Sequence, residues 1–147
     1  MARRANLNLE GVRIGFRNLE GREGRYNAAG NRNFVIFLDN ERAAELESQG
    51  WSIHWPKPIE PDTDHERNPF LKVRVNFNWK GLKIVMIVNG KPEFLDEDNV
   101  GVLDTADLEN VDVSISPYEY EPGKISASLA SMYATVRTDE FMAKYGY

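Results

Sequence analysis

The 147-residue chain contains no cysteine, which excludes disulfides and thiolate metal sites and fits a reducing compartment. Long apolar runs are also missing. The longest, Phe34 to Leu38 and Ile84 to Val88, are five residues each, far short of the roughly 18 residues that a membrane-crossing helix needs. Met1-Ala2-Arg3-Arg4 opens without the apolar stretch of a signal peptide, so the protein is expected to act where it is made. Histidine is scarce: His54 and His65 are the only two, which leaves few candidates for imidazole general-base chemistry. Basic residues are absent from a whole segment, for residues 93–123 hold ten acids and no lysine or arginine. No internal repeat or low-complexity run is visible.

What is present has the make-up of one soluble globule, 41% hydrophobic and 28% charged. A single domain over residues 1–137 is expected, followed by a loosely ordered tail at 138–147. The net charge of −5 argues against a nucleic-acid partner, but the charge is unevenly placed. Residues 1–37 carry seven arginines against three acids, so the segment is basic where the later block is acidic. That asymmetry predicts a polarised surface.

Period-two patterning dominates. Val12, Ile14 and Phe16 alternate with Arg13, Gly15 and Arg17, which predicts a strand with an apolar face and a basic face. Residues 18–32, rich in Gly, Asn and Arg, read as a flexible loop or hairpin tip. Phe34 to Leu38 reads as a buried strand. Asp39 or Asn40 can cap a short helix ending near Gly50, and Trp51, Ile53 and Trp55 resume alternation. The proline-rich 56–69 segment reads as a surface loop. In the clearest strand, Leu71, Val73, Val75, Phe77 and Trp79 share one face, and Phe70, Lys72, Arg74, Asn76, Asn78 and Lys80 the other. Lys80-Gly81 is expected to turn the chain so that Leu82 to Val88 returns as the second arm of a hairpin. The stretch from Asp96 to Glu109 has weak helical character. Val111, Val113 and Ile115 form a further strand, Glu121-Pro122-Gly123-Lys124 a turn, and Ile125 to about Val136 the last strand. About six strands with one short helix predict a mainly β fold, a small barrel. Phe34, Phe77, Trp79, Trp51 and Trp55 are expected in its core.

Chemistry-bearing constellations are missing. Asp62-Thr63-Asp64-His65-Glu66 has metal-ligand residue types but lies in a proline-rich loop without rigid geometry. Gly21, Gly24 and Gly30 lack the Gly-Lys-Ser/Thr ending of a phosphate loop. Asp96, Glu97 and Asp98 could serve a metal-dependent nuclease but read as loop charges. No catalytic residue, metal or cofactor is therefore expected. What recurs is arginine or lysine beside an aromatic ring on strand faces. Single strands are held by such pairs, because cations track phosphates and flat rings stack on unpaired bases. The candidate contacts are Arg13 and Arg17 on the first strand; Arg22, Arg25, Tyr26 and Arg32 from the loop; Phe70, Lys72, Arg74 and Lys80 on and after the clear amphipathic strand; and Tyr118, Tyr120 and Lys124 around the Pro-Gly turn.

The segments Tyr26-Asn27-Ala28-Ala29-Gly30-Asn31-Arg32-Asn33-Phe34, Gly50-Trp51, Pro69-Phe70-Leu71-Lys72-Val73, Pro117-Tyr118, Gly123-Lys124-Ile125-Ser126-Ala127-Ser128-Leu129 and Met132-Tyr133 occur in an order that resembles bacteriophage single-stranded-DNA-binding proteins with one OB fold per chain. The likeness spans roughly residues 10–137. It implies an OB-type barrel of five or six strands, with Tyr26, Arg32 and the Lys72–Arg74 strand at a DNA groove. It also implies binding of single strands with little sequence preference during phage replication, recombination and repair, in the cytoplasm of the infected bacterium. Members often end in an acidic tail with a terminal aromatic that recruits replication proteins of phage or host. Here the end, Asp139 to Tyr147, is aromatic but only weakly acidic, and Lys144 interrupts it. Self-association is a further expectation. The second functional reading is a virion structural or protein-interaction module on a small β-barrel.

Overall fold

The computed structural model describes residues 5–25, 27–56 and 68–137. Among the described residues, nine strands and one α-helix follow in order: β1 (Leu7–Leu9), β2 (Arg13–Asn18), β3 (Arg32–Phe37), α1 (Asn40–Ser48), β4 (Ile53–His54), β5 (Phe70–Val75), β6 (Lys83–Val88), β7 (Lys91–Leu95), β8 (Leu108–Glu121) and β9 (Lys124–Val136). The main sheet runs β1-β8-β9-β5-β3-β2. All of these pairings are antiparallel except β5 with β9, where Val73 lies opposite Ala127 and Arg74 opposite Ser128.

The two ends of this path are β1 and β2, which are consecutive in the chain. The ribbon of Leu7 to Asn18 therefore binds β8 with its first half and β3 with its second, and curls the sheet round. No ladder joins β1 to β2, so the sheet is not closed. The seam holds through Val12 N–H donating to Val111 O at 3.0 Å and Gly11 N–H to Asp112 Oδ1 at 2.8 Å. A partly open five-stranded Greek-key barrel with one parallel pair is the OB arrangement, as the sequence resemblance implies.

Each inward face follows the period-two pattern. Phe34 and Ile36 from β3, Leu71 and Val73 from β5, Ile115 from β8, and Ile125, Leu129 and Met132 from β9 are essentially buried. Asp39 caps α1, its carboxylate accepting from Arg42 N–H at 2.6 Å. The helix buries Ala43 and Leu46 against the barrel, and Trp51 joins them in the core. Two other aromatics expected inside are not. Trp79 is 47% exposed and Trp55 43%, the latter donating its indole N–H to Glu47 Oε2 at 2.6 Å. Trp79 lies beyond the end of β5, in a run of turns where alternation no longer governs direction.

The expected hairpin between residues 71–79 and 82–88 does not form. β5 ends at Val75, and turns at Asn76 to Leu82 carry the chain along the sheet rather than back. β6 then pairs parallel with the second half of β9, Lys83 to Ile87 opposite Ser131 to Thr135. Its antiparallel partner is β7, a strand the sequence reading missed. The signal was Asn89-Gly90, both at positive φ (52° and 76°), the residue pair that a two-residue hairpin turn demands. The β6–β7 wing thus extends the sheet from β9, in line with β5.

The acidic stretch after β7 forms a short 3-10 turn, Val100–Asp104, with Val100 and Leu103 fully buried. Asp104 accepts from Leu19 N–H at 2.7 Å and Glu20 N–H at 3.1 Å, tying this turn to the end of β2.

Candidate nucleic-acid interface

The outward face of β5 presents Phe70, Lys72 and Arg74 between the inward residues Leu71, Val73 and Val75. Cross-strand register puts Phe37 beside Phe70, Val35 beside Lys72 and Asn33 beside Arg74. One strand further, Arg13 lies beside Phe37 and Gly15 beside Val35. A Cβ on Gly15 would stand 2.4 Å from a Phe37 ring carbon. Gly15 is thus what lets the Phe37 ring lie across β2.

Immediately after Gly15 the strand bulges. Asn18 pairs with Asn33 where regular register would bring Arg17, so β2 carries one residue more than β3 over this stretch, as in a β-bulge. Phe16, at φ 44°, occupies the bulge. Its ring turns away from the core side that alternation predicts and stands 73% exposed on the outer face. There it lies 6.1 Å from the Phe37 ring and 6.2 Å from that of Phe70, which are themselves 6.4 Å apart. His54 of β4 stacks on Phe70 at 5.0 Å with 7° between the planes, and the Arg13 guanidinium sits 4.9 Å over Phe37. Four rings from four strands form a platform with cations at its margin. Phe16, Phe37 and His54 were not among the nucleic-acid contacts expected from sequence.

Beside the platform, two depressions of about 380 Å³ each share Lys72 and Arg74 in their walls. One continues to His54, Ser126, Tyr118 and Tyr120; the other to Asn27, Gly30, Arg32 and Asn76. Together they make a trough across β5, from the β8–β9 turn to the β2–β3 loop. Lys72 and Arg74 are exposed and form no ion pair with a described residue. Tyr118 is 62% exposed, and the Tyr120 hydroxyl lies 3.1 Å from Ser52 Oγ.

The β2–β3 loop is better tied than a flexible tip. The Asn27 side-chain nitrogen reaches the carbonyls of Arg22, Ala28 and Asn31 at 2.9, 3.1 and 3.0 Å, and Gly30 N–H bonds Gly21 O at 2.8 Å. Leu19, fully buried, anchors its base.

Phe70, Lys72, Arg74, Tyr118 and Tyr120 therefore converge on one surface, with Arg13 over the aromatic platform and Arg32 at the far wall. Arg32 is also structural: Nη1 donates to Leu19 O at 2.6 Å, and its guanidinium lies 5.0 Å over Phe77. Other candidates lie elsewhere. Arg17 donates to Leu103 O and Ala106 O, at 2.7 and 2.8 Å, and so staples the 3-10 turn to β2. Arg22 pairs with Glu20 and Asp104 at 3.6 and 3.8 Å. Lys124 pairs with Glu121 at 3.0 Å across the Pro122-Gly123 turn. Arg25 is exposed on the β2–β3 loop, and Lys80 in the turns after β5. Tyr26, His65 with the 62–66 cluster, and the tail from Thr138 to Tyr147 lie outside the described residues. Among the described residues, no three His, Asp or Glu side chains are grouped to hold a metal ion, and no helix is long and apolar enough to cross a membrane.

An aromatic platform, a cationic strip without an ion pair among the described residues and loops at both ends occupy the OB face that takes oligonucleotides. A family model described as "Putative phage ssDNA-binding domain" matches residues 1–147. The chain belongs to this family. Among solved structures, this phage ssDNA-binding domain is similar to the single-stranded DNA-binding protein from bacteriophage Enc34 in complex with ssDNA. The TM-score is 0.55 at 13% sequence identity, over 93% of this chain and 89% of that one. A C-terminal truncation of the Enc34 protein matches with TM-score 0.53, again at 13% identity, over 92% and 87% of the two chains. No curated protein sequence matches.

Proposed function

We propose that the chain binds single-stranded DNA without sequence preference and releases it chemically unchanged. The backbone would be held by Lys72 and Arg74, with unpaired bases stacked on the Phe16, Phe37 and Phe70 platform. The observation that carries this reading is the juxtaposition of the exposed Phe16 ring and the half-buried Phe37 and Phe70 rings with cations that no described acid neutralises. Such a surface would be poorly used in water. Against a single strand it supplies stacking, roughly 1–3 kcal/mol per base, together with counterion release. Stacking uses the face that every base has, which accounts for sequence tolerance.

Family membership supports a setting in phage DNA replication, recombination and repair within the infected cell. In that setting the protein coats exposed strands, removes hairpins and presents template. Arg32, Tyr118 and Tyr120 line the trough ends in this reading, and Arg13 flanks the platform. Arg17, Arg22 and Lys124 serve mainly the fold. The test is titration of the protein with oligo-dT, followed by intrinsic fluorescence at several salt concentrations. Binding at low salt that weakens steeply as salt rises is the expected result. No binding at low salt would overturn the reading.

A further inference from the structure

The outer face of β9 does not end at the trough. Register across the sheet gives its outward residues in rows. Ser126 lies beside Tyr118, then Ser128 lies between Ser116 and Arg74. Past an irregularity at Ala130, Ser131 lies between Ser114 and Lys83, and Tyr133 between Asp112 and Val85, with Phe94 next across β6. Because β5 and β6 stand end to end along the same flank of β9, one serine-floored strip joins the trough to the wing. At its far end Phe94 is 67% exposed and Tyr133 38% exposed. The Lys83 ammonium lies between these rings, 5.3 Å from the first and 5.6 Å from the second. Asp112, the one acid in these rows, is already engaged by Gly11 N–H.

We infer that the β6–β7 wing is a second stacking site for the same single strand, which leaves the trough along β9 and meets Phe94, Lys83 and Tyr133. This rests on the single-strand reading of the trough. The occupant follows from chemistry: two exposed rings around a cation repeat the ring-and-cation composition of the trough, and small hydroxyls between the two sites leave room for a sugar-phosphate chain. From Ser126 to Tyr133 the strand rises by roughly 23 Å at about 3.3 Å per residue. A short oligonucleotide would therefore fill the trough alone, whereas a longer one would reach both sites.

The experiment uses the full chain with dT oligomers from about 4 to about 16 nucleotides, the range of site sizes found for single OB folds. In the unsubstituted protein, affinity should rise with length beyond what the shortest binders show. Phe94→Ala should leave short-oligomer affinity unchanged, which also shows that the fold is intact, and weaken long-oligomer binding about fivefold or more. Lys83→Gln should reduce the salt slope by about 0.7 for long oligomers only, one phosphate's share on a single strand. Equal affinity of Phe94→Ala and the unsubstituted protein for long oligomers would overturn the inference. So would a change of oligomeric state in light scattering with the length dependence intact, because the wing would then be a contact between copies. Failure of the unsubstituted chain to bind any length would instead refute the trough reading, and this inference with it.

Discussion

Phe16 offers the sharpest test, because its stability and its binding should respond in different ways. An L-residue at φ 44° carries a backbone cost of roughly 1–2 kcal/mol that glycine does not. With the ring 73% exposed, the buried remainder is worth only about 0.5 kcal/mol, a quarter of the value of a fully buried phenylalanine. Its two ring contacts add about 0.5 kcal/mol each at the solvent-exposed end of their range. In Phe16→Gly the relieved strain is offset by lost contacts and by roughly 0.5–1 kcal/mol of extra unfolded-state entropy. The net change should be a loss of at most about 1.5 kcal/mol. DNA affinity should nevertheless fall about 5- to 150-fold, the worth of one stacked base. Phe16→Ala is the diagnostic partner. It keeps the strained backbone and loses the ring, so it should bind as poorly as the glycine variant but be about 1 kcal/mol less stable. Urea denaturation and oligo-dT titration read the two quantities separately. An alanine variant as stable as the glycine one would refute the strained bulge, and affinity within twofold of wild type would refute the platform.

Three further variants divide binding from folding. Lys72→Gln with Arg74→Gln should flatten the salt dependence of oligo-dT binding by about 1.4, two phosphates at about 0.7 each, and leave the melting temperature nearly unchanged because both side chains are exposed. Arg17→Ala should do the reverse: two carbonyls lose their donor, costing about 2 kcal/mol and lowering Tm by roughly 4–8 °C, while affinity measured below the transition stays within about twofold. Gly50→Ala combines φ 103° with a Cβ 2.6 Å from Gly123 O, and should lose about 3 kcal/mol in urea denaturation.

The legible parts of the sequence were those set by local rules. Alternation placed Phe70, Lys72 and Arg74 outward on β5, Asp39 marked the start of the helix, and Pro122-Gly123 marked the last turn. The illegible parts depended on partners far away in the chain. Alternation puts Phe16 beside Ile14, but the extra residue in β2 reverses it, and only pairing with β3 reveals the bulge. The run Leu82 to Val88 looks like a hairpin arm until β9, more than 40 residues later, proves to be its neighbour. An arginine destined for a carbonyl reads the same as one destined for a phosphate. That is why Arg17 entered the candidate list and why Phe37 and His54, whose value lies in their ring neighbours, did not.

Strand β9 bonds β8 along one flank and β5 and then β6 along the other. It is a keel with no free edge, and its amide protons should exchange only when the whole domain opens. A keel of this kind keeps the ground beneath both ring clusters from shifting independently. Motion during loading and unloading would then fall to side chains and connecting loops, and the spacing between the clusters would be fixed by the hydrogen-bonded register of one sheet.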